Sequence, residues 1–555
     1  MKPLHCIPRA MFPVLFCVLT GMTPCFGQTK PGEGTSQVPS IKVRTGLVLI
    51  PTVVTDGKGN RITDLKKEDF VVLEDGQRQE IQLFERMETK AEVAKPTAAA
   101  EGVYTNTTER RNNRLSIFVL DLLNSSFNEQ RTARMELIES LSKALDAQEP
   151  LCLIAIDSSG VKLIHDFTTE PSVLVEALKK VKGRPAEKDK PERNPEEPSF
   201  LMGNGANSKS GTRNAAMEES RLESLNLYST LDSLEATQRI GLTLEALREI
   251  GEAFAGIPGR KSMIWATGGF PFEIDDAAKF GLSNRDLLPA YEQAWRALNQ
   301  ANIAVYPLDV SDLVNPAHIG AGIGRPQPQH VHVDMHIANM ENFAAATGGK
   351  FCDRSWDAKK CFDQAANDSA DYYLLGIYDR SGAAKPGWRK LSVRSMRAGL
   401  QVRARTGYYM GGSAQEKPDE KIEIQKALVA PFDYPALPMS VRMTGTAAGV
   451  NKGKKTVAFV YAIPGAGISV EAENGNQLRL EFAALARDSA GRTLGSFSKM
   501  IQGKLSEAQA VQVREKGILF TGTMELEPGE YALSFVVRDG VNDKLGSVMA
   551  PLKVE

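Results

Sequence analysis

The stretch FVLDLLNSSF, residues 118–127, joins an apolar run to an acidic residue and two hydroxyl side chains. Asp121 stands at the tip of what reads as a buried strand, and Ser125 and Ser126 follow closely. Carboxylate and hydroxyl oxygens are hard ligands, which suit hard cations such as Mg²⁺. The stretch therefore indicates a cation site at a strand end. The alternative is that Asp121 accepts backbone N–H groups and caps the following turn or helix.

A second candidate metal site lies in residues 318–336, which hold four of the six histidines. On an extended segment His330, His332 and Asp334 share one side, and His336 follows them. Neutral imidazoles together with a carboxylate suit Zn²⁺. The alternative is a polar loop beside a sheet, because a flexible segment loses entropy when it assembles a site.

The sequence carries few signs of catalysis. It has no Gly-x-Ser-x-Gly elbow, no phosphate-binding loop and no His-Glu-x-x-His motif. His165 precedes Asp166 after a short apolar run, but no nucleophile is tied to it by sequence. We therefore predict a protein that is not an enzyme and has no catalytic residues.

The middle of the chain contains the elements that must position these side chains. Short apolar runs such as LSIFVLD, LCLIAID, KSMIWAT and IAVYPLD alternate with amphipathic helical stretches. This alternation predicts a parallel sheet covered on both faces, in an α/β domain over residues 114–410. Residues 183–218 interrupt the order with Pro, Gly, Asn and charged residues, so we predict a disordered insertion there.

The flanking segments read as β structure. Residues 42–86 predict a small N-terminal β-domain, and residues 87–113 a linker. Residues 411–421 have the composition of a second linker, and residues 422–555 predict a C-terminal β-sandwich. The predicted fold class is multidomain, with a central doubly wound, Rossmann-like α/β domain between β-sandwich-like domains.

Composition and charge limit the classes of partner. The chain has 555 residues, of which 42% are hydrophobic and 24% charged, and its formal net charge is −1. These values are ordinary for a globular protein of three or four domains. The absence of a basic excess argues against a general affinity for nucleic acid or anionic membranes.

The N-terminus reads as a secretory signal peptide over residues 1–27. Lys2 and Arg9 precede an apolar stretch that is too short to span a bilayer, and small residues precede Gln28. The alternative is a membrane anchor. No later run reaches about 18 apolar residues, so we expect an exported protein, periplasmic or secreted, without a membrane span in the mature chain.

Three cysteines lie beyond the predicted signal peptide. Cys352 and Cys361 flank a probable turn, and an exported protein meets an oxidising environment, so we predict a disulfide between them. The alternative is two unpaired thiols. Cys152 lies in a buried-strand pattern and is expected to be an inert core residue.

Several blocks, in one order, carry a family resemblance. They include TDGKGNRITDLKKEDFVVLEDGQRQEI, LDLLNSSFNEQRTAR, LEALREIGEAFAGIPGRKSMIWATGGFPF, ATGGKF, DYYLLGIY and VRARTGYY. Over roughly residues 40–410 the chain resembles the bacterial exported proteins called VWFA-related, which contain a von Willebrand factor type A domain. The resemblance implies a protein-binding or adhesion function.

The resemblance also implies a metal-ion-dependent adhesion site, which matches this chain only in part. Asp121 and Ser125 match two ligands of its Asp-x-Ser-x-Ser motif, and Thr243 is the best candidate for its threonine. Leu123 stands where a serine is expected, and Gly268 stands where the last aspartate is expected. The implied cofactor is Mg²⁺ or another divalent cation at a degenerate site.

Phe270 and Phe272 follow the strand end at Trp265–Thr267, where ligands dock on open α/β sheets. Exposed aromatic residues there would suit a protein interface, whereas Trp265 is expected to pack in the core. Our leading hypothesis is an exported module that binds a protein partner at this sheet edge. The alternatives are a metal-independent scaffold subunit of an envelope assembly and, third, a hydrolase acting on an envelope substrate.

Overall fold

The computed structural model describes residues 47–88, 102–106, 115–143, 150–183, 234–257, 259–269, 285–311, 339–353, 358–378, 387–410, 420–471 and 475–555. The strands in these residues, numbered in chain order, are β1 Leu47–Thr55, β2 Phe70–Glu74, β3 Gln77–Gln79, β4 Ile81–Glu88, β5 Val103–Thr105, β6 Leu115–Asp121, β7 Leu151–Asp157, β8 Gly160–Thr168, β9 Lys261–Thr267, β10 Ile303–Asp309, β11 Asp371–Tyr378, β12 Gly387–Ser395, β13 Gln401–Ala404, β14 Gly407–Met410, β15 Ser440–Ala448, β16 Lys455–Ile463, β17 Gln477–Arg487, β18 Thr493–Lys504, β19 Ile518–Leu526, β20 Gly529–Asp539 and β21 Lys544–Val554.

The helices in the described residues are numbered in the same way. They are α1 Phe127–Lys143, α2 Pro171–Lys180, α3 at 234–254, α4 Leu288–Gln300, α5 at 339–347, α6 Ala358–Ala370, α7 Glu420–Val429 and α8 Glu507–Lys516. Among them, none combines the length and the apolar character that crossing a bilayer requires.

The strands form five sheets within the described residues. One sheet, here called the mixed sheet, has the order β10-β9-β6-β7-β8. Its first three pairings are parallel, and β8 is antiparallel to β7. The other four sheets have four strands each, and every pairing in them is antiparallel.

The predicted fold class is therefore wrong: the described chain is mainly antiparallel β structure, without a central doubly wound α/β domain. The prediction overstated the α/β share for a physical reason. Parallel strands buried on both faces give long, continuous apolar runs, whereas antiparallel strands with one exposed face give a weaker alternation. The four clearest apolar runs all belong to the mixed sheet.

Strands from distant parts of the sequence share the antiparallel sheets. β1 pairs with β11 and β13, and β2 pairs with β12. β1, β2 and β4 thus each pair with a strand from residues 371–410. β5, within the predicted linker 87–113, pairs with β15 near the C-terminus. Such long-range pairing leaves no local sign in the sequence.

The mixed sheet has a buried cluster on each face. Ile117 and Val119 of β6 pack on the side covered by α3, α4 and α5. Phe118 and Leu120 pack on the side covered by α1, α2 and α6. This alternation follows from the two-residue period of a strand. It places Asp121, two residues beyond Val119, on the α3 face.

The core on the α3 face continues into the C-terminal segment. Phe432, Tyr434 and Val536 belong to the same buried cluster as the mixed sheet. The end of α3 approaches the backbone so closely that a Cβ at Gly256 would lie 2.5 Å from the nitrogen of Ala436. This buried cluster therefore contains residues from both sides of the predicted linker 411–421.

Candidate functional site

β6 ends at Asp121, at the carboxyl edge of the parallel strands. β6 lies between β7 and β9, and all seven of its residues are buried. The Asp121 side chain is 0% exposed. Because it lies on the α3 face of the sheet, its carboxylate is directed inward and not into solvent.

Five donors surround the Asp121 carboxylate. The backbone nitrogens of Leu123 and Asn124 donate to Oδ1 at 3.0 and 2.8 Å. Oδ2 accepts from Asn124 Nδ2 at 3.1 Å, Trp265 Nε1 at 3.1 Å and Thr267 Oγ1 at 2.8 Å. All five donors are neutral groups. A carboxylate offers about four lone-pair positions, so these donors saturate it.

Burial decides the direction of the pKa shift at Asp121. Loss of water raises the pKa of this carboxyl group above its ordinary value, and the hydrogen bonds from Asn124 and Thr267 oppose part of the rise. Among the described residues, no Lys or Arg side chain donates to it. The site is thus a buried acid stabilised by dipoles and not by an ion pair.

Asn124 connects the turn to α3. Its Nδ2 donates to Asp121 and also to Thr243 Oγ1 at 3.1 Å. Thr243 in turn donates its hydroxyl hydrogen to the carbonyl of Arg239 at 2.8 Å. Asn124 Oδ1 is buried and has no hydrogen-bond partner within the described part of the chain. Asn124 therefore bridges Asp121 and Thr243.

Ser125 and Gly268 meet across the same edge. The backbone nitrogen of Gly268 donates to Ser125 Oγ at 2.9 Å. A Cβ at Gly268 would lie 2.7 Å from Cδ of Glu129, so the Glu129 carboxylate fills the space that a side chain at position 268 would need. Asp121 and Thr243 thus share one hydrogen-bond network through Asn124. Ser125 bonds instead to Gly268, which directly follows Thr267, and Glu129 lies against Gly268.

Glu129 is the residue that sequence reasoning missed. Its Oε2 accepts from the backbone nitrogen of Ser126 at 2.6 Å, and Ser126 Oγ accepts from the backbone nitrogen of Glu129 at 3.3 Å. This is a capping box at the start of α1, and its sequence sign is a serine followed three residues later by a glutamate. That pattern was present in SSFNE and could have been found.

As arranged, these residues do not fit a divalent cation. Both oxygens of Asp121 are occupied by donors, and the Thr243 oxygen already accepts from Asn124. A cation would have to displace several buried donors, each of which would lose its acceptor. Within the described ranges, no three His, Cys, Asp or Glu side chains are grouped to hold a metal.

Several predicted residues lie outside the described residues: Phe270, Phe272, His330, His332, Asp334 and His336. Trp265, by contrast, is fully buried and packs edge-on against Phe343 with ring centroids 5.7 Å apart. It combines this packing with its hydrogen bond to Asp121.

Two cysteines of the described chain form a disulfide bond. Cys352 and Cys361 have their sulfur atoms 2.02 Å apart and their Cα atoms 5.8 Å apart. The bridge joins the segment beside β10 to α6. Cys152 is buried in β7 and is not disulfide-bonded.

A cleft of about 670 Å³ opens on the other face of the mixed sheet, beside the same strand ends. β7, β8 and α2 form its walls. Leu122, which directly follows Asp121, contributes to its floor, and Asp157 at the end of β7 lies at one side. The cleft and the Asp121 network therefore lie back to back at the carboxyl edge.

No protein-family model and no curated protein matches the chain. Solved structures of Bacteroides uniformis β-glucuronidase show a partial likeness. A calcium-binding mutant of β-glucuronidase 2 is 14% identical with a TM-score of 0.15, over 20% of this chain and 12% of that one. Another β-glucuronidase structure is 10% identical with a TM-score of 0.16, over 36% of this chain and 20% of that one. The chain thus covers a fifth or less of these enzymes, and TM-scores this low support no conclusion.

Proposed function

We propose that the chain is a non-enzymatic exported protein that binds a protein partner at the carboxyl edge of the mixed sheet, without a cation. The proposal takes up the resemblance to VWFA-related proteins and modifies it. The observation that carries it is the Asp121 carboxylate, whose five neutral donors leave no position for a metal.

The energetic argument favours docking without a metal. Leaving a buried donor or acceptor unsatisfied costs about 1–3 kcal/mol. A cation at Asp121 would separate it from several buried donors, among them Trp265 Nε1 and Thr267 Oγ1. The closed network instead fixes the backbone of residues 121–126, so the neighbouring surface is held in one conformation before any partner arrives.

Phe127 supports the position of the docking surface. It is the first residue of α1, directly after the fixed turn, and its side chain is 51% exposed. Aromatic residues are enriched in protein interfaces because they bury much area at little entropic cost. A large exposed ring next to a rigid turn is therefore a suitable anchor for a partner.

Photo-crosslinking tests this proposal. We would replace Phe127 by p-benzoylphenylalanine in the full chain and irradiate cells that export it. We expect a discrete crosslinked species that forms equally with and without EDTA. The matched control carries the same substitution at Leu519, which is 76% exposed on β19, a strand of a different sheet.

Two outcomes would overturn the proposal. Crosslinking at position 127 no stronger than at position 519 would remove the edge as the docking surface. A crosslink that EDTA abolishes and Mg²⁺ restores would show that the partner needs a cation after all.

A further inference from the structure

The cleft beside the strand ends has an apolar floor. Leu122, Ala155, Ile164, Val173, Ala177 and Val181 line it. These side chains come from β7, β8 and α2 and from the residues that directly follow β6 and α2, so regular elements and their ends form the cleft. Its volume of about 670 Å³ lies within the range of sites that enclose a small ligand or a few peptide side chains.

The charges around this floor are predominantly positive. Lys162, Lys180 and Lys182 line the cleft, and so do the two acids Asp157 and Glu176. Asp157 is already paired, because Lys162 Nζ lies 2.5 Å from its Oδ2.

Glu176 is paired as well, with Lys179 one turn further along α2. No ion pair involving Lys180 or Lys182 is found within the described part of the chain. Both of these lysines are exposed. The cleft therefore presents two exposed ammonium groups that form no salt bridge with a described residue, and Lys180 also attracts the nearby Glu176 carboxylate.

His165 adds a further polar group at the cleft. Its Nδ1 is 2.6 Å from the carbonyl oxygen of Asp166, so Nδ1 carries the hydrogen and donates. In the neutral ring Nε2 is then an acceptor, and in the charged ring it is a donor. A hydroxyl group of a partner can bond to Nε2 in either form, whereas a carboxylate can accept only from the charged ring.

The lip of the cleft reaches the proposed docking surface. Gly183, directly after Lys182, lies so close to the exposed Phe127 that a Cβ there would be 2.9 Å from Phe127 Cε2. The two lysines and the Phe127 ring therefore lie at one continuous edge. An extended segment that contacts Phe127 can continue into the cleft.

We propose that the cleft binds an acidic peptide segment of the protein partner, with an apolar side chain on the floor and carboxylates on Lys180 and Lys182. The inference rests on the proposed function and names the chemistry of the partner. Charge complementarity favours this choice, because Lys180 and Lys182 are exposed and form no salt bridge with a described acid.

Fluorescence anisotropy with the purified full chain tests the cleft directly. The probe is a fluorescein-labelled peptide, Glu-Leu-Glu-Phe-Glu-Leu-Glu, and its matched control has lysine in place of each glutamate. We expect saturable binding of the acidic peptide only, weakened at least tenfold in Lys180→Glu/Lys182→Glu. We also expect that double variant to gain affinity for the lysine peptide.

A second charge variant controls for net charge. Lys452→Glu/Lys499→Glu makes the same change in charge at exposed positions of the C-terminal sheets, and we expect wild-type binding. Equal weakening in both double variants, or no binding of the acidic peptide by the wild-type chain, would overturn the cleft proposal.

Crosslinking at position 127 distinguishes failure of the cleft proposal from failure of the proposed function. If it persists at full yield in Lys180→Glu/Lys182→Glu, the edge still binds a partner and the cleft does not contribute. If the crosslink is absent in the protein with wild-type lysines, the proposed function fails. The anisotropy measurement then still tests whether the cleft binds the acidic peptide. Loss of the crosslink in the lysine variant alone supports both.

Discussion

Two fully buried aspartates show two ways in which this fold accommodates a carboxylate. Asp121 and Asp368 are each 0% exposed. The described donors to Asp121 are all neutral groups, three of them in its own turn. Asp368 instead meets Arg403 at 2.5 Å and Arg61 at 3.6 Å, and it also accepts from Tyr306 and Gln364.

The difference lies in what each carboxylate connects. The Asp121 donors hold a turn and a neighbouring strand end, so the effect is local. Asp368 on α6 connects β10 through Tyr306 with the antiparallel strands around Arg61 and Arg403. Burial alone would lower the pKa of Arg403. The neighbouring Asp368 has the larger and opposite effect, so the pKa of Arg403 is raised. The first aspartate shapes a surface, and the second holds sheets together.

The largest expected effect is therefore at Asp368. In Asp368→Asn the guanidinium of Arg403 would remain largely buried without its countercharge, which costs about 3–5 kcal/mol when one partner of a buried pair is removed. We expect a loss of that size in the free energy of unfolding, measured by urea denaturation with circular dichroism.

An exposed ion pair provides the control for this variant. Asp64 is 72% exposed and lies 3.0 Å from Arg397. Exposed pairs contribute between about zero and 1 kcal/mol, so Asp64→Asn should change little. If the two variants lose equal stability, the distinction between a connecting and a surface carboxylate is wrong.

The two aspartates also show how far the sequence alone reaches. The end of a buried apolar run drew attention to Asp121, and the family resemblance added Ser125 and Thr243. Asp368 lies in the polar stretch DQAANDSA, and its partners are up to about 300 residues away, so nothing local marks it. The same distance hid the pairing of β1 with β11, and hence the correct fold class.

A third carboxylate, Glu249 on α3, has neither a set of neutral donors nor a salt bridge within the described residues. Burial and the neighbouring Glu245 raise its pKa to about 7, with Arg248 and Lys426 opposing and Glu252 adding to the rise. The folded state therefore holds its proton more tightly than the unfolded chain, where the pKa is 4.5. Glu249 therefore makes its full contribution to the free energy of unfolding below pH 4.5, and this contribution is lost as the pH rises to about 7.

Glu249→Gln should remove this pH-dependent loss of stability. We expect the unfolding free energy of the variant, relative to wild type, to rise by at most about 3 kcal/mol between pH 4.5 and 8. Urea denaturation at several pH values measures it. A constant difference across this range would mean that Glu249 titrates normally and is better solvated than its surroundings indicate.

The smallest expected effect concerns the closure of the Asp121 edge by Glu129. Gly268→Ala places a methyl group against the Glu129 carboxylate, and overpacking of this kind costs about 1–3 kcal/mol. Glu129→Ala removes the obstacle and loses one cap. In a double-mutant cycle we expect the pair to be less destabilised than the sum of the single variants. Strict additivity would show that Glu129 does not fill this space.

Isothermal titration calorimetry tests most directly whether the Asp121 turn is closed by its own donors. The purified full chain would be titrated with Mg²⁺, Mn²⁺ and Ca²⁺, with Asp121→Asn as the matched variant. We predict no saturable binding in the micromolar range for either protein. Micromolar binding by the wild-type chain that Asp121→Asn abolishes would contradict a metal-free docking edge.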